Sequence, residues 1–151
     1  MTPKLTHLDS KGEASMVDVS AKPAQHREAI ASGEILLQSS TVDLILQDQV
    51  AKGNVLAVAR VAGIMAAKKT GELIPLCHPL PLTHCEVNFE IPPSRDRIQI
   101  TASAKIYAQT GIEMEALTAV ATAALTIYDM CKAVDKQMTI QNIRLVSKTK
   151  K

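Results

Sequence analysis

The chain has 151 residues, 46% of them hydrophobic, with 17 basic and 15 acidic side chains and a net charge of +2. That length supports one domain with a real core, and the near-neutral balance gives no long-range pull toward nucleic acid or anionic lipid. Aromatic residues make up 2%, namely Phe89, Tyr107 and Tyr128 with no Trp, so the core must be aliphatic, and base stacking on aromatic platforms is disfavoured as a binding mode.

Residues 1–15 are polar and are expected to form a flexible N-terminal segment ahead of a single domain over 16–151. The start has no apolar stretch of the kind a signal peptide carries. No apolar run approaches the roughly 18 residues a membrane span needs. Cys77, Cys85 and Cys131 match no zinc spacing, and their odd number argues against a disulfide framework. Free thiols point to a reducing compartment, so the expected location is the cytoplasm. The basic end, Lys148, Lys150 and Lys151, reads as a solvated terminus.

Ala29 to Leu37 is expected to be a first strand. Ser39, Ser40 and Thr41 offer N-cap oxygens for a helix running through Val50. Lys52-Gly53-Asn54 breaks it, and Asn54 is itself a good cap for a second helix, Val55 to Lys69, closed by Gly71. Pro75, Pro79 and Pro81 make Glu72 to Leu82 a loop. Cys85, Val87, Phe89 and Ile91 then alternate with polar residues, as do Ile98, Ile100, Ala102, Ala104 and Ile106, which predicts an antiparallel hairpin with one buried face. A long helix is expected from Glu113 to Val134, with Leu117, Ala121, Leu125 and Tyr128 as its apolar stripe. A last strand, Met138 to Val146, alternates imperfectly. The order β-α-α-β-β-α-β predicts an α+β ferredoxin-like sandwich, helices on one face of an antiparallel sheet.

Four stretches set polar groups among apolar ones, and each admits a plain and a functional reading. Lys52-Gly53-Asn54 is either an interhelix turn or a place where a lysine meets phosphate. Leu73 to Leu80 is either a buried structural loop or a binding loop in which His78 and the backbone near Leu76 and Cys77 meet a ligand. Thr110 to Glu115 is either a helix start that favours acidic residues or a carboxylate site for a guanine-like edge. Asp129 and Lys132 are either an exposed i, i+3 ion pair or a half-buried pair that tunes an acid or base.

Glu115 and Asp129 are 14 residues apart, hence about 21 Å along one helix and about 40° apart around it. If both ends serve one small substrate, an antiparallel helix from a second subunit is the simple solution.

In this order, Met16-Val17-Asp18-Val19-Ser20, Lys52-Gly53, Ala62-Gly63-Ile64, Leu73-Ile74-Pro75-Leu76-Cys77-His78-Pro79-Leu80, Glu113-Met114-Glu115-Ala116-Leu117-Thr118 and Ala123 to Val134 resemble the cyclic pyranopterin monophosphate synthases, the C protein (MoaC) family of molybdenum cofactor biosynthesis. The resemblance implies a lyase that converts 3′,8-cyclo-7,8-dihydro-GTP into cyclic pyranopterin monophosphate and diphosphate. It implies a substrate supplied by a radical S-adenosylmethionine enzyme acting on GTP, and a hexamer, a trimer of dimers with sites at subunit interfaces. By matching position, Asp129 is the expected acid/base residue, with Lys132 and Lys52 as its partners. Leu76, Cys77, His78, Met114 and Glu115 fall in the substrate-binding segments, with Glu113 nearby. Lys68, Arg60 and Arg27 are candidates to hold the triphosphate. The chemistry calls for proton transfers and charge stabilisation rather than a redox cofactor, and a divalent ion such as Mg is compatible with the triphosphate. The chain departs from the family where Asn54 stands for a usual Asp. A non-catalytic nucleotide- or pterin-binding module, and an interaction protein using the Lys-rich end, are the competing readings.

Overall fold

Four strands form one antiparallel sheet in the order β2-β3-β1-β4, in a computed structural model that describes residues 3–151. Met1 and Thr2, the start of the expected N-terminal segment, lie outside the described residues. The strands are β1 (Gln25–Leu36), β2 (His84–Glu90), β3 (Arg97–Ala108) and β4 (Thr139–Lys150). The helices are α1 (Ser39–Leu46), α2 (Val55–Lys68), α3 (Thr70–Leu73) and α4 (Glu113–Cys131). The helices pack on one side of the sheet, an α+β arrangement consistent with a ferredoxin-like sandwich.

The core lies between sheet and helices and is built from small and branched aliphatics. Ala29, Ala31 and Ile35 of β1 and Ile98, Ile100, Ala102 and Ala104 of β3 are wholly buried against Ala116, Ala119, Val120, Ala123, Ala124 and Ile127 of α4. Small residues let the layers close: a Cβ on Gly63 of α2 would sit 2.9 Å from the Ala119 carbonyl oxygen of α4. The stripe expected on α4 is corrected here. Leu125 is 59% exposed, and Leu117, Ala121 and Tyr128 are only half-buried. The alanine-rich face, not the face with the larger residues, turns inward because only small side chains fit under α2.

Boundaries shift for identifiable reasons. β1 starts at Gln25 rather than Ala29, paired through Ala108 of β3. α1 ends at Leu46, short of Val50. Its N-cap is Gln38, so Ser39, Ser40 and Thr41 lie within the helix and do not cap it. The cap comes from far along the chain: Asp135 Oδ2 accepts from the Gln38 N–H and from Thr41 Oγ1, both at 2.9 Å. Asn54 caps α2 as expected, accepting from the Ala57 N–H at 2.9 Å. Gly71 does not end that helix. It sits inside α3, where a Cβ would meet Pro79 Cα at 2.9 Å, so it is the seat of the proline loop. α4 stops at Cys131, before Val134.

β4 runs on to Lys150, past the expected Val146. Its imperfect alternation comes from two register shifts against β1, between Ile30 and Ala31 and between Ser32 and Glu34. Each inserts a residue and reverses which face the following side chains take. Asn142, at φ 56°, lies in one of them, and its amide donates to Glu34 Oε1 at 3.0 Å. Past both shifts, Lys148 pairs with Ala29 and Lys150 with Arg27.

Candidate active site

A cavity of about 620 Å³ opens at the N-terminal end of α4. One wall is the proline loop, including Leu76, Cys77 and His78, and a second is Thr110 to Met114 with Glu113. A third is the segment before β1, through Thr6, His7, Val17, Val19 and Lys22. His78 Nε2 lies 2.6 Å from the Val17 carbonyl oxygen. A carbonyl only accepts, so this nitrogen carries the proton.

Glu113 lines this cavity, and Glu115 lies behind its Cys77 wall, bordering a different depression. Glu115 is 2% exposed, and Cys77 Sγ approaches its Oε2 at 3.9 Å. Its Oε1, and Oε2 of Glu113, are buried without a protein partner. Burial pushes the Glu115 carboxyl up to about 7, and the neighbouring Glu113 charge adds to the rise. Burial also raises the Cys77 thiol, with the Glu115 charge behind it, so Cys77 is not an activated nucleophile. The Glu113 carboxylate folds back against Gly111, where a Cβ would displace it.

Beside this cavity, sharing Lys22, Thr110, Gly111 and Glu113 with it, lies a second depression of about 340 Å³ bordered by Arg27, Lys148 and Lys150. Lys148 Nζ is 4.0 Å from Glu113 Oε1. Arg27 is anchored by its side chain to the carbonyls of Ala108 and Gln109 at 3.1 and 3.2 Å. The basic end read as a solvated terminus is therefore part of β4, with Lys148 and Lys150 lining a depression. Lys22 was not singled out from the sequence, and Lys148 was read only as part of a solvated terminus. Their polar neighbours carry no periodic signal, and the two register shifts that set Lys148 beside Ala29 rather than Arg27 cannot be seen before β1 and β4 are paired.

At the other end of α4, Asp129 lies between two ammonium groups. Lys52 Nζ is 3.1 Å from Oδ2 and 3.2 Å from the Asp129 carbonyl oxygen, and Lys132 Nζ is 2.9 Å from Oδ1. Lys132 first, and Lys52 with it, hold the Asp129 carboxyl below its usual range. Half-burial of this pair was one sequence reading, and the geometry corrects it. The side chains of Lys52, Asp129 and Lys132 are 51%, 57% and 58% exposed. Gly53, at φ 110°, makes the turn that brings Lys52 across to α4.

Two expected phosphate ligands stand apart from both places. Arg60 donates to the Val87 carbonyl at 2.9 Å and lies over the Phe89 ring. Lys68 borders a separate depression of about 300 Å³ behind the proline loop, opposite Glu115. No cluster of three His, Cys, Asp or Glu suited to a metal ion occurs among the described residues, and no helix there is long and apolar enough to cross a membrane.

The sequence matches the MoaC family over residues 16–151. A protein of Pelotomaculum thermopropionicum named cyclic pyranopterin monophosphate synthase is 59% identical over 145 residues, covering 96% of this chain and 85% of its own. Proteins of that name from Clostridium perfringens and Chloroflexus aurantiacus are 57% and 58% identical, covering 98% and 96% of this chain and 94% and 89% of theirs. With a family match from Met16 to the last residue and relatives this similar along nearly their whole length, the chain belongs to the MoaC family.

Proposed function

We propose that the chain is a cyclic pyranopterin monophosphate synthase, a lyase converting 3′,8-cyclo-7,8-dihydro-GTP into cyclic pyranopterin monophosphate and diphosphate in the cytoplasm. Its substrate comes from a radical S-adenosylmethionine enzyme. The observation that carries the mechanism is Asp129 held between Lys52 and Lys132 at 3.1 and 2.9 Å. A carboxylate in that position moves protons during ring opening and reclosure. The ammonium groups stabilise the negative charge that grows as the sugar hydroxyl attacks phosphorus and diphosphate leaves. The large cavity takes the purine-derived ring, with Leu76 to His78, Met114 and the Glu113 carboxylate facing its N–H edge and Glu115 behind Cys77. The depression bordered by Lys22, Arg27, Lys148 and Lys150 takes the triphosphate, and a divalent ion such as Mg would share that charge.

The cavity and the Asp129 group lie about 21 Å apart along α4, too far for one chain to apply both to one substrate. A second copy supplies the missing end, as in the dimers of a hexameric trimer of dimers. The helices support this: Val58, Val61 and Met65 share one face of α2 by their spacing and are exposed, as is Leu125 of α4, leaving apolar side chains for a partner to cover. The test is turnover of enzymatically prepared cyclised GTP, following diphosphate and the fluorescence of the oxidised pterin together. Tight binding without either product would replace the synthase with a binding module.

A further inference from the structure

Part of the lining of the large cavity comes from the polar segment ahead of β1. Thr6 and His7 lie outside the family-matched residues 16–151 yet line the same cavity as Glu113 and Met114. They are held there by a small built hairpin rather than by chance contact. Leu8 and Ala14 form an isolated antiparallel bridge. Asp9 Oδ1 accepts from the Lys11 and Glu13 N–H groups at 2.8 and 3.0 Å, closing a turn around Gly12 at φ 79°. The Ser15 N–H donates to the His7 carbonyl at 2.7 Å, which fixes the backbone of His7 itself. Behind the hairpin the segment is fastened to the proline loop by the His78–Val17 hydrogen bond at 2.6 Å.

Resting on the function proposed above, we infer that residues 3–20 are a strap forming the outer wall of the ring pocket, and that His7 is a further substrate-contacting residue. The half-buried Val17 and Val19 give the strap an apolar surface against one face of a planar ring. The His7 imidazole offers one donor and one acceptor to the ring's amide-like edge. The loop that binds the ring from below also holds the strap, through His78. Loss of the strap therefore weakens ring binding without touching Lys52, Asp129 or Lys132. A contact equal in ground and transition states changes KM and leaves kcat alone.

Two variants and one protection assay test this on the full-length protein. His7→Ala should raise KM for the cyclised nucleotide about three- to tenfold, the loss expected for one hydrogen bond, with kcat within about twofold. Deleting residues 1–14 should raise KM further in the same pattern. With GTP as a non-reacting probe, bound nucleotide should slow tryptic cleavage at the exposed Lys11, and His7→Ala should weaken GTP binding in parallel. Unchanged KM in both variants, or cleavage at Lys11 that is indifferent to GTP, overturns the strap. A wild-type protein that binds GTP with Lys11 protected, yet makes no product, would remove the synthase reading and leave the strap standing.

Discussion

Replacing Asp135 with alanine should unfasten two parts of the molecule at once. Its carboxylate is 2% exposed and accepts from the Gln38 N–H and Thr41 Oγ1 at 2.9 Å each. Hydrogen bonds to a charged acceptor contribute about 1.5–3 kcal/mol each. The variant also leaves the 1% exposed Thr41 hydroxyl without this partner. Against this, the desolvation cost of the carboxylate disappears with it. The net expectation is about 3 kcal/mol of lost stability, or roughly 6–12 °C in Tm for a chain of this size. Asp135 joins the segment after α4 to the start of α1, and Lys52 lies between α1 and α2. The Lys52–Asp129 contact should therefore loosen and kcat should fall. Urea unfolding followed by circular dichroism at fixed protein concentration reads the stability, and turnover reads the rate. Asp135→Asn, which keeps one acceptor oxygen, should lose about half as much. A loss below about 1 kcal/mol in the alanine variant would show that α1 does not depend on this distant cap.

Asp129→Asn should lower turnover by about 10²–10⁴-fold, the range of a lost acid/base group, with no measurable change in Tm because the side chain is exposed. Wild-type rates would remove the assigned role. Glu115, raised from an ordinary value near 4.5 to about 7 by burial, binds its proton more tightly folded than unfolded. Its contribution to stability is therefore fully present below about pH 4.5 and is lost as pH rises toward about 7. Comparing urea midpoints across that window, Glu115→Gln should remove this decline, and an identical slope in both proteins would contradict the burial argument. Gly71→Ala places a Cβ 2.9 Å from Pro79 Cα. It should cost about 1–3 kcal/mol and raise KM, because the loop carrying Leu76 to His78 must move; unchanged KM would separate that seat from the site.

The layers were legible in the sequence because β2, β3 and the start of α2 obey local rules: two-residue alternation, a turn at Pro92-Pro93, and an Asn54 cap. The misreadings share one physical origin, which is that the deciding partner lies in another element or loop and outside the local pattern. Thr41 reads as a cap until Asp135 is seen to take its hydroxyl. Gly71 reads as a helix stop until Pro79 is seen against it. The buried face of α4 was missed because hydrophobic size favours Leu117 and Leu125, whereas the room left beneath α2 admits only Ala119 and Ala123. The candidate site divided in the same way. Lys52, Asp129, Lys132 and the Leu76-Cys77-His78 run were singled out by residue type and resemblance. His7, Lys22 and Lys148 owe their places to a strap and to a strand whose register cannot be read from a polar sequence.

The most direct test of a site built from opposite ends of α4 is complementation between two inactive variants. Asp129→Asn loses the group at one end and His78→Ala the loop at the other. Each alone should be nearly inactive. Co-expressed, half of randomly assorted dimers are mixed, and each mixed dimer has one intact site of two, so turnover should return to about a quarter of wild type. If the mixture stays as inactive as its components while mixed dimers are demonstrably present, the two ends do not meet across subunits, and the account of a shared active site is wrong.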